Sequence, residues 1–490
     1  MRDYSFGNFI SALRERRGLS QYQLGVLVGV SDKAVSKWEN GASKPRIDTI
    51  RKLSEVLDVS VDELLTCEYA AFNKERKDLF AMKNEMMRLA GKKLSSLYGE
   101  HPPILIANRF KTEKLLLHEQ DILLWMGFLG KLQEKFTQQN AYFDIRGAQI
   151  GASFVAWLLG GSNVNPLPAH YYCPVCKSVE FVSTEKCGID LLDKKCTCGM
   201  DYQKDGFSID AVHMYPLTKW LEIYVSSNAT DIVKKCLEEY FKGAGEIREL
   251  RIMEDETIKV PPTRQMKVTK YAVFSKELTK KYSEDVITLP QKEYFGFMDE
   301  LPVLNVVENP EETLCSQDLM NMSFTPEQIK AYFLHAAESG EFNGYTGDMN
   351  LEKVISQLKN PKFSDLLILQ GFLHGTGVWK ENAEVLYDKG IPLHELISCR
   401  EDVYDYLYRK LNGKCCDNPV GQVFEIKESV RKGKYSRNRM PAEIETLLLE
   451  CDVEQWYVDS MKKILYLFPK THLIPLLKRQ IAKYVVANHL

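Results

Sequence analysis

Two close-spaced cysteine pairs constrain this 490-residue chain more than any other feature. The stretch from Asn165 to Gly206 holds Cys173-Pro174-Val175-Cys176, then nineteen residues, then Cys196-Thr197-Cys198-Gly199. Each pair sits at a tight turn, where Pro174 or Gly199 bends the backbone, and such pairs bring four sulfurs onto one tetrahedral ion. Four thiolates suit Zn2+ and leave no open position for water, so the expected zinc is structural. The second pair is C-x-C rather than the usual C-x-x-C, and Cys187, between the pairs, is an alternative ligand. The competing reading is four reduced cysteines without metal.

The length allows two to four domains. Hydrophobic residues make up 44% and charged residues 27%, the balance of an ordinary globular chain. A net charge of −3 excludes a globally basic nucleic-acid binder, so any such surface is local. No apolar run reaches membrane-spanning length and no signal-peptide layout follows Met1, so a cytoplasmic protein without membrane contact is expected. Twelve scattered cysteines fit a reducing compartment.

Residues 6–65 read as five short helices. Phe6, Phe9, Ile10 and Leu13 fall on one helical face. Ser20 with Gln23 forms a capping box for a second helix carrying Leu24, Leu27 and Val28. Gly29-Val30 turns the chain, and Ser31 caps a third helix through Trp38. Pro45 opens a fourth with Ile47, Ile50, Leu53 and Leu57 inward, and Ser60 caps a fifth ending at Leu65. The pieces LSQYQLGVLVGVSDKAVSKWENGASKP and LSEVLDVSVDELL resemble the Cro/C1-type helix-turn-helix family. That resemblance implies a third helix in the major groove, with Asp32, Lys33, Ser36 and Lys37 outward and Ala34, Val35 and Trp38 inward. It also implies a phosphate or base contact from Gln21 and backbone contacts from Lys44 and Arg46. The partner implied is a double-stranded operator, bound as a homodimer on a palindrome. Charge alone is silent here, since residues 1–66 carry ten basic and nine acidic side chains. A helical bundle used for protein contacts is the alternative.

The cysteine stretch, from Asn165-Pro166-Leu167-Pro168 to Asp201-Tyr202-Gln203-Lys204-Asp205-Gly206, resembles the zinc segment beside the palm of PolC-type DNA polymerase III alpha subunits. AGKKLSSLYGEHPP and FDIRGAQIGASFVAWLLGGSNVNPLP resemble the start of that palm. There the family holds a nucleotide triphosphate on a Gly-Ser-Arg-Gly-Ser-x-Gly-Ser loop. Here Arg146, Gly147, Gly151 and Ser153 remain, Ala148 and Ala152 replace hydroxyls, and Asp144 adds a negative charge, so weakened phosphate binding is expected. The family's first catalytic motif is an Asp-x-Asp whose carboxylates hold two Mg2+. This chain has Glu222 at the first position and Tyr224 at the second, leaving Glu222 as a lone carboxylate and no expected Mg2+ site. Between Met253 and Thr325 no counterpart of the family's Leu-Asp-Ile-Leu-Gly strand, with its third aspartate, is expected. Pro261-Pro262, Pro290, Pro302 and Pro310 break that segment into short strands and loops.

From Phe324 the resemblance strengthens through FSDLLILQGFLHGTGVWKENAEVL, HELISCREDVYDYLYRKL, FEIKESVRKGK and VEQWYVDSMKKILYLFPKTH, which look like the family's fingers. It implies that Arg146, His374, Arg431, Lys432, Lys434, Lys470 and His472 face nucleotide or template. Ordinary helix caps and solvated basic faces are the alternative. The family's exonuclease, PHP module, duplex-binding domain and clamp-binding tail are expected to be absent.

The expected architecture is multidomain and mainly α with an α+β part. It comprises a helix-turn-helix domain (1–68), a helical linker (69–88), a palm-like domain (89–324) with a zinc knuckle (170–206), and helical fingers (325–490). The expected function is a transcriptional regulator whose inactive polymerase-like body senses or decoys a nucleotide, a primer-template or a polymerase-directed inhibitor. The alternatives are a small active DNA polymerase and a polymerase-like interaction protein with a helical docking arm.

Overall fold

The computed structural model describes residues 4–17, 19–57, 59, 61, 64, 70–117, 120–139, 141–145, 148–215, 217, 220–226, 229–252, 268–274, 284–289, 303–308, 323–343, 351–413 and 419–489. These form two compact units, residues 1–82 with 243–245, and the remainder. The architecture is mostly helical with one mixed sheet.

The first unit contains α1 (Tyr4–Arg16), α2 (Gln21–Val28), α3 (Asp32–Glu39) and α4 (Ile47–Leu57). Ser20 and Gln23 form the predicted capping box, and Ser31 caps α3 through the Ala34 amide. Gly29 ends α2 in the left-handed region at φ 80°. A Cβ on Gly25 would meet the Val30 carbonyl at 2.8 Å, so α2 and the turn close only around a glycine. Phe6, Phe9, Ile10, Leu13, Leu24, Val35, Trp38, Ile50, Leu53 and Leu57 make one core. Two residues expected on the apolar faces are corrected: Leu27 and Ile47 are exposed, because each lies off its helix's buried stripe (Leu24 and Val28 on α2; Ile50, Leu53 and Leu57 on α4). The fifth helix from Ser60 to Leu65 falls largely outside the described residues.

Helix α5 (Ala70–Tyr98) runs without interruption through the expected linker, which is helical as anticipated. In the second unit it is followed by α6 (Ile104–Leu117), α7 (Ile122–Gln138), β1 (Phe143–Ile145) and the short α8 (Phe154–Leu158). A small antiparallel sheet follows, β2 (His170–Tyr172) between β3 (Val179–Phe181) and β4 (Gln203–Asp205). The main sheet adds β5 (Trp220–Val225), then α9 (Thr230–Tyr240), β6 (Glu246–Ile252), β7 (Val268–Phe274), β8 (Val286–Leu289) and β9 (Val303–Glu308). Its order is β1-β5-β9-β7-β6-β8, with β5–β9 and β6–β8 parallel.

Alternation along β5 sends Leu221, Ile223 and Val225 to an apolar face and Glu222 and Tyr224 to the other. Beneath the sheet α9 packs on β6 and α7, with Trp125, Phe128 and Phe241 in edge and tilted ring contacts. Within residues 253–325, where no counterpart of the third catalytic strand is expected, Leu304-Asn305-Val306-Val307-Glu308 in β9 lies parallel to β5 and places Asn305, not an aspartate, in register with Glu222. The prolines expected to break this segment fall outside the described residues.

The C-terminal part is helical: α10 (Pro326–Glu338), α11 (Phe363–His374), α12 (Arg400–Leu411), α13 (Pro419–Arg431), α14 (Gln455–Lys463) and α15 (Lys470–Ala487). Thr325 and Gln328 cap α10 with Pro326 at its first turn. α12 packs on α13, and α15 packs against α10 and α11. Gly151 meets α15 so closely that a Cβ there would lie 2.8 Å from the Thr471 Cβ. Among the described residues, no helix is long and apolar enough to cross a membrane.

Candidate functional site

Four places gather the residues that the sequence marks. On α3, Asp32, Lys33 and Lys37 are exposed and Ser36 is half-buried, while Val35 and Trp38 are buried as expected. Lys33 and Lys37, one turn apart, present two ammonium groups on one helical face. Arg46 and Lys44 are exposed just beyond, Lys44 with its ammonium 5.8 Å from the Phe6 ring centroid. Gln21 is engaged within the domain: its amide donates to Glu39 (2.7 Å), whose carboxylate also accepts from Arg14 at 2.6 and 3.1 Å. Arg14–Glu39 therefore ties α1 to the end of α3 and fixes its pose within the domain.

The thiols of Cys173, Cys176, Cys196 and Cys198 converge, all four within 4.8 Å of one another. Sulfur pairs stand at 3.5 Å (Cys173–Cys198) and 3.4 Å (Cys176–Cys196). A tetrahedron with Zn–S bonds of about 2.3 Å needs sulfur separations near 3.8 Å, so the donor set fits zinc with little movement. Backbone turns build it: Lys177 N–H donates to the Cys173 carbonyl, and Gly199 N–H to the Cys196 carbonyl. Cys187 is buried outside this cluster, and burial pushes its thiol pKa up. It takes no place among the four.

The open face of the main sheet is the third place. Glu222 on β5 is in register with Asn305 on β9, which is in register with Lys270 on β7. One strand row thus carries an acid, an amide and an ammonium. Tyr224, two residues along, donates its hydroxyl to Glu222 at 2.8 Å. Burial lowers the Lys270 pKa while Glu222 acts against it. A two-metal site needs several carboxylates converging on the ions. This row offers Glu222 alone, with a phenol and an amide at the neighbouring positions.

Next to it, Asp144 on β1 is in register with Tyr224, buried, and ion-paired with the equally buried Arg479 of α15. Ser153 caps α8 and donates to Glu113 at 2.8 Å. The Glu113 carboxylate also accepts from the Phe154 and Val155 amides at 2.9 and 3.0 Å and from Arg109. The end of the expected phosphate loop is therefore satisfied by a carboxylate from α6. Arg146 and Gly147 lie outside the described residues, as does the side chain of Ala148.

The fourth place is the junction of α12, α13 and α15. Lys470, half-buried, pairs with Asp402 (2.6 Å), and its backbone amide donates to Glu401 at 2.9 Å. Burial favours a neutral Asp402, but Lys470 and hydrogen bonds from Ser398 and Cys399 outweigh it and hold its pKa at about 2. Arg431 pairs with Glu428 (2.8 Å), which also accepts from Lys427 (2.9 Å) and neighbours Lys432 at 3.4 Å. Lys432 and Lys434 are exposed. His374 and His472 flank Phe468, with ring centroids 5.2 and 5.7 Å away, and burial lowers the His374 pKa. Sequence reasoning missed Asp402, Glu113 and Asn305, because each acts through a partner far away in the chain, and it missed Glu428, although its cations Lys427, Arg431 and Lys432 lie within one turn of it.

Comparison with known proteins fits this layout. The helix-turn-helix family HTH_3 matches residues 10–64. The chain is similar to the PolC-type DNA polymerase III of Bacillus cereus, 28% identical over 84% of this chain and 32% of that protein. It is 25% identical to that of Ureaplasma parvum over 77% of this chain and 30% of that protein. It is 26% identical to that of Staphylococcus aureus over 79% of this chain and 31% of that protein. The chain thus spans about a third of the length of these relatives.

Proposed function

We infer that this protein, a helix-turn-helix domain joined to a region homologous to PolC-type DNA polymerase III, is a DNA-binding transcriptional regulator whose polymerase-like body binds ligands without carrying out two-metal chemistry. The observation that carries this reading is the row Glu222–Asn305–Lys270 with Tyr224 hydrogen-bonded to Glu222. Phosphoryl transfer relies on metal ions clamped at the reacting oxygens. One carboxylate, hydrogen-bonded to a phenol and with an ammonium two strands away, leaves little charge to hold two divalent cations.

In this reading, residues 1–68 bind a palindromic operator as a homodimer through Lys33, Lys37, Ser36, Asp32, Gln21, Lys44 and Arg46. Residues 69–88 link that domain to a palm-like domain (89–324) and fingers (325–490). Cys173, Cys176, Cys196 and Cys198 hold a structural Zn2+. A nucleotide, a primer-template or a polymerase-directed inhibitor engages the body, with Arg431, Lys432, Lys434, His374 and His472 nearest, and alters operator affinity.

Linkage supplies the test, since a ligand that loosens operator binding must itself bind less tightly when operator is present. An operator is first selected from random duplexes with the full chain. Deoxynucleotides, primer-template and polymerase-directed inhibitors are then titrated with and without it. Equal shifts in both directions are expected. Absence of any selected sequence removes the regulator, and ligand binding indifferent to operator removes the switch.

A further inference from the structure

A cleft of about 620 Å³ opens between α10, α11 and α15, away from the sheet row and the cysteine cluster. That volume falls in the range of small-molecule sites. Its walls combine three kinds of group. The His335 and Tyr484 rings stack, with centroids 4.8 Å apart at 28°, and Tyr332 meets Tyr484 edge-on at 6.0 Å. The His335 side chain is 48% exposed, so the stack has an open outer end. Two glutamines line the same cleft: Gln370 is buried, and the amide oxygen of Gln480 is shielded from solvent with no hydrogen-bond partner. Glu341, which accepts from the Tyr332 hydroxyl at 3.0 Å, and Lys483 complete the lining.

A shielded amide oxygen without a donor costs free energy comparable to a lost hydrogen bond. A ligand that brings an N–H to it recovers that loss. The same ligand must be flat and aromatic to extend the Tyr484–His335 stack. Glutamine amides match the adenine edge, where an amino donor adjoins a ring-nitrogen acceptor. We propose that this cleft binds an adenine base, as nucleoside or nucleotide. The base stacks on the outer face of His335 and donates its amino group to Gln480. Glu341 stands where a ribose hydroxyl can donate to it, and Lys483 marks the side on which a phosphate would lie.

The proposal rests on the reading of the body as a ligand-binding module, and it names the chemical class of one ligand. The test is calorimetric titration of the full chain with adenosine, adenosine monophosphate, guanosine, uridine and inorganic phosphate. Adenosine and its monophosphate are expected to saturate, with guanosine and uridine weaker by about tenfold or more, the usual scale of a lost bidentate base contact. Tighter binding of the monophosphate that Lys483→Ala reverses would identify a nucleotide, and equal affinity a nucleoside. Gln480→Leu is expected to weaken adenosine by about tenfold, whereas Gln480→Glu, which keeps the acceptor, retains most of it. His335→Ala, at a half-exposed position, provides a second variant if the substitutions at 480 disturb folding. The proposal is overturned if adenosine does not saturate, if guanosine binds equally well, or if folded Gln480→Leu and His335→Ala bind as the parent does. Adenosine binding that leaves operator affinity unchanged removes the switch and keeps this site. Operator affinity shifted by primer-template, with no adenosine binding, removes only this site.

Discussion

Lysines are placed in opposite ways in the two units of this protein. On α3, Lys33 and Lys37 stand exposed, with their acidic neighbour Asp32 turned back to the Lys33 amide. At the head of α15, Lys470 is half-buried and paired with Asp402, with Glu401 accepting from its backbone amide. The first arrangement leaves positive charge available to a polyanion. The second uses it to hold helices together. A lysine beside a helix start says little about function until the acids that pack against it are known.

The largest effect is expected at the cysteine segment, whose small buried cluster of Ala169, Tyr171 and Leu191 leaves most of its stability to the proposed zinc. Structural zinc contributes on the order of 10 kcal/mol of binding free energy, and chelation is expected to unfold residues 165–206 and lower the melting temperature sharply. Unchanged melting of protein shown to be zinc-free would exclude the structural role. Next, Lys470→Ala leaves the half-buried Asp402 without its cation, while Glu401 keeps Arg400, and a loss of about 3 kcal/mol in urea unfolding is expected. A stable Lys470→Ala protein would show that the pair is dispensable and the lysine free to serve a ligand.

His213 gives a pH-dependent test of the same interior. It is fully buried, neither ring nitrogen has a hydrogen-bond partner, and burial lowers its pKa to about 3. Between the unfolded value near 6.5 and about 3, the unfolded chain holds a proton there that the native chain does not. Stability therefore falls as pH drops through that window, by about 2 kcal/mol from pH 6.5 to pH 5. Replacing the ring by phenylalanine (His213→Phe) is expected to flatten that slope in denaturant midpoints, and an unaltered slope would place the acid sensitivity elsewhere. The smallest effect belongs to α3. Lys37→Ala should leave stability within about 0.5 kcal/mol yet weaken operator binding by roughly five- to tenfold, with a shallower salt dependence. A loss of stability without a change in DNA binding would reverse the contrast.

Much of the first unit was legible because its signals are local. Ser20 with Gln23, Gly29 and Ser31 sit within a few residues of the amides they cap or the turn they make. The cysteine cluster was legible because ligand spacing is a local property, and the structure then separates Cys187 from the four. In the second unit the informative partners are distant. Asn305 meets Glu222 only through the pairing of β9 with β5, and no local pattern announces that register. Asp402 neutralises Lys470 from another helix, so the sequence displays that cation and hides what it contacts, whereas Glu428 stands one turn before Arg431 on the same helix. Leu27 and Ile47 were misplaced because a spacing that reads as one face tolerates an off-stripe apolar residue.

On the proposed function, the sheet row of Glu222, Asn305 and Lys270, with Tyr224 beside it, does not support phosphoryl transfer. Primer extension measures this with the full zinc-loaded chain, a primed template, all four deoxynucleotides, and Mg2+ or Mn2+ in turn. No extension above a no-protein control is expected with either ion. Extension that disappears in Glu222→Ala protein would contradict that reading and make the chain a small DNA polymerase.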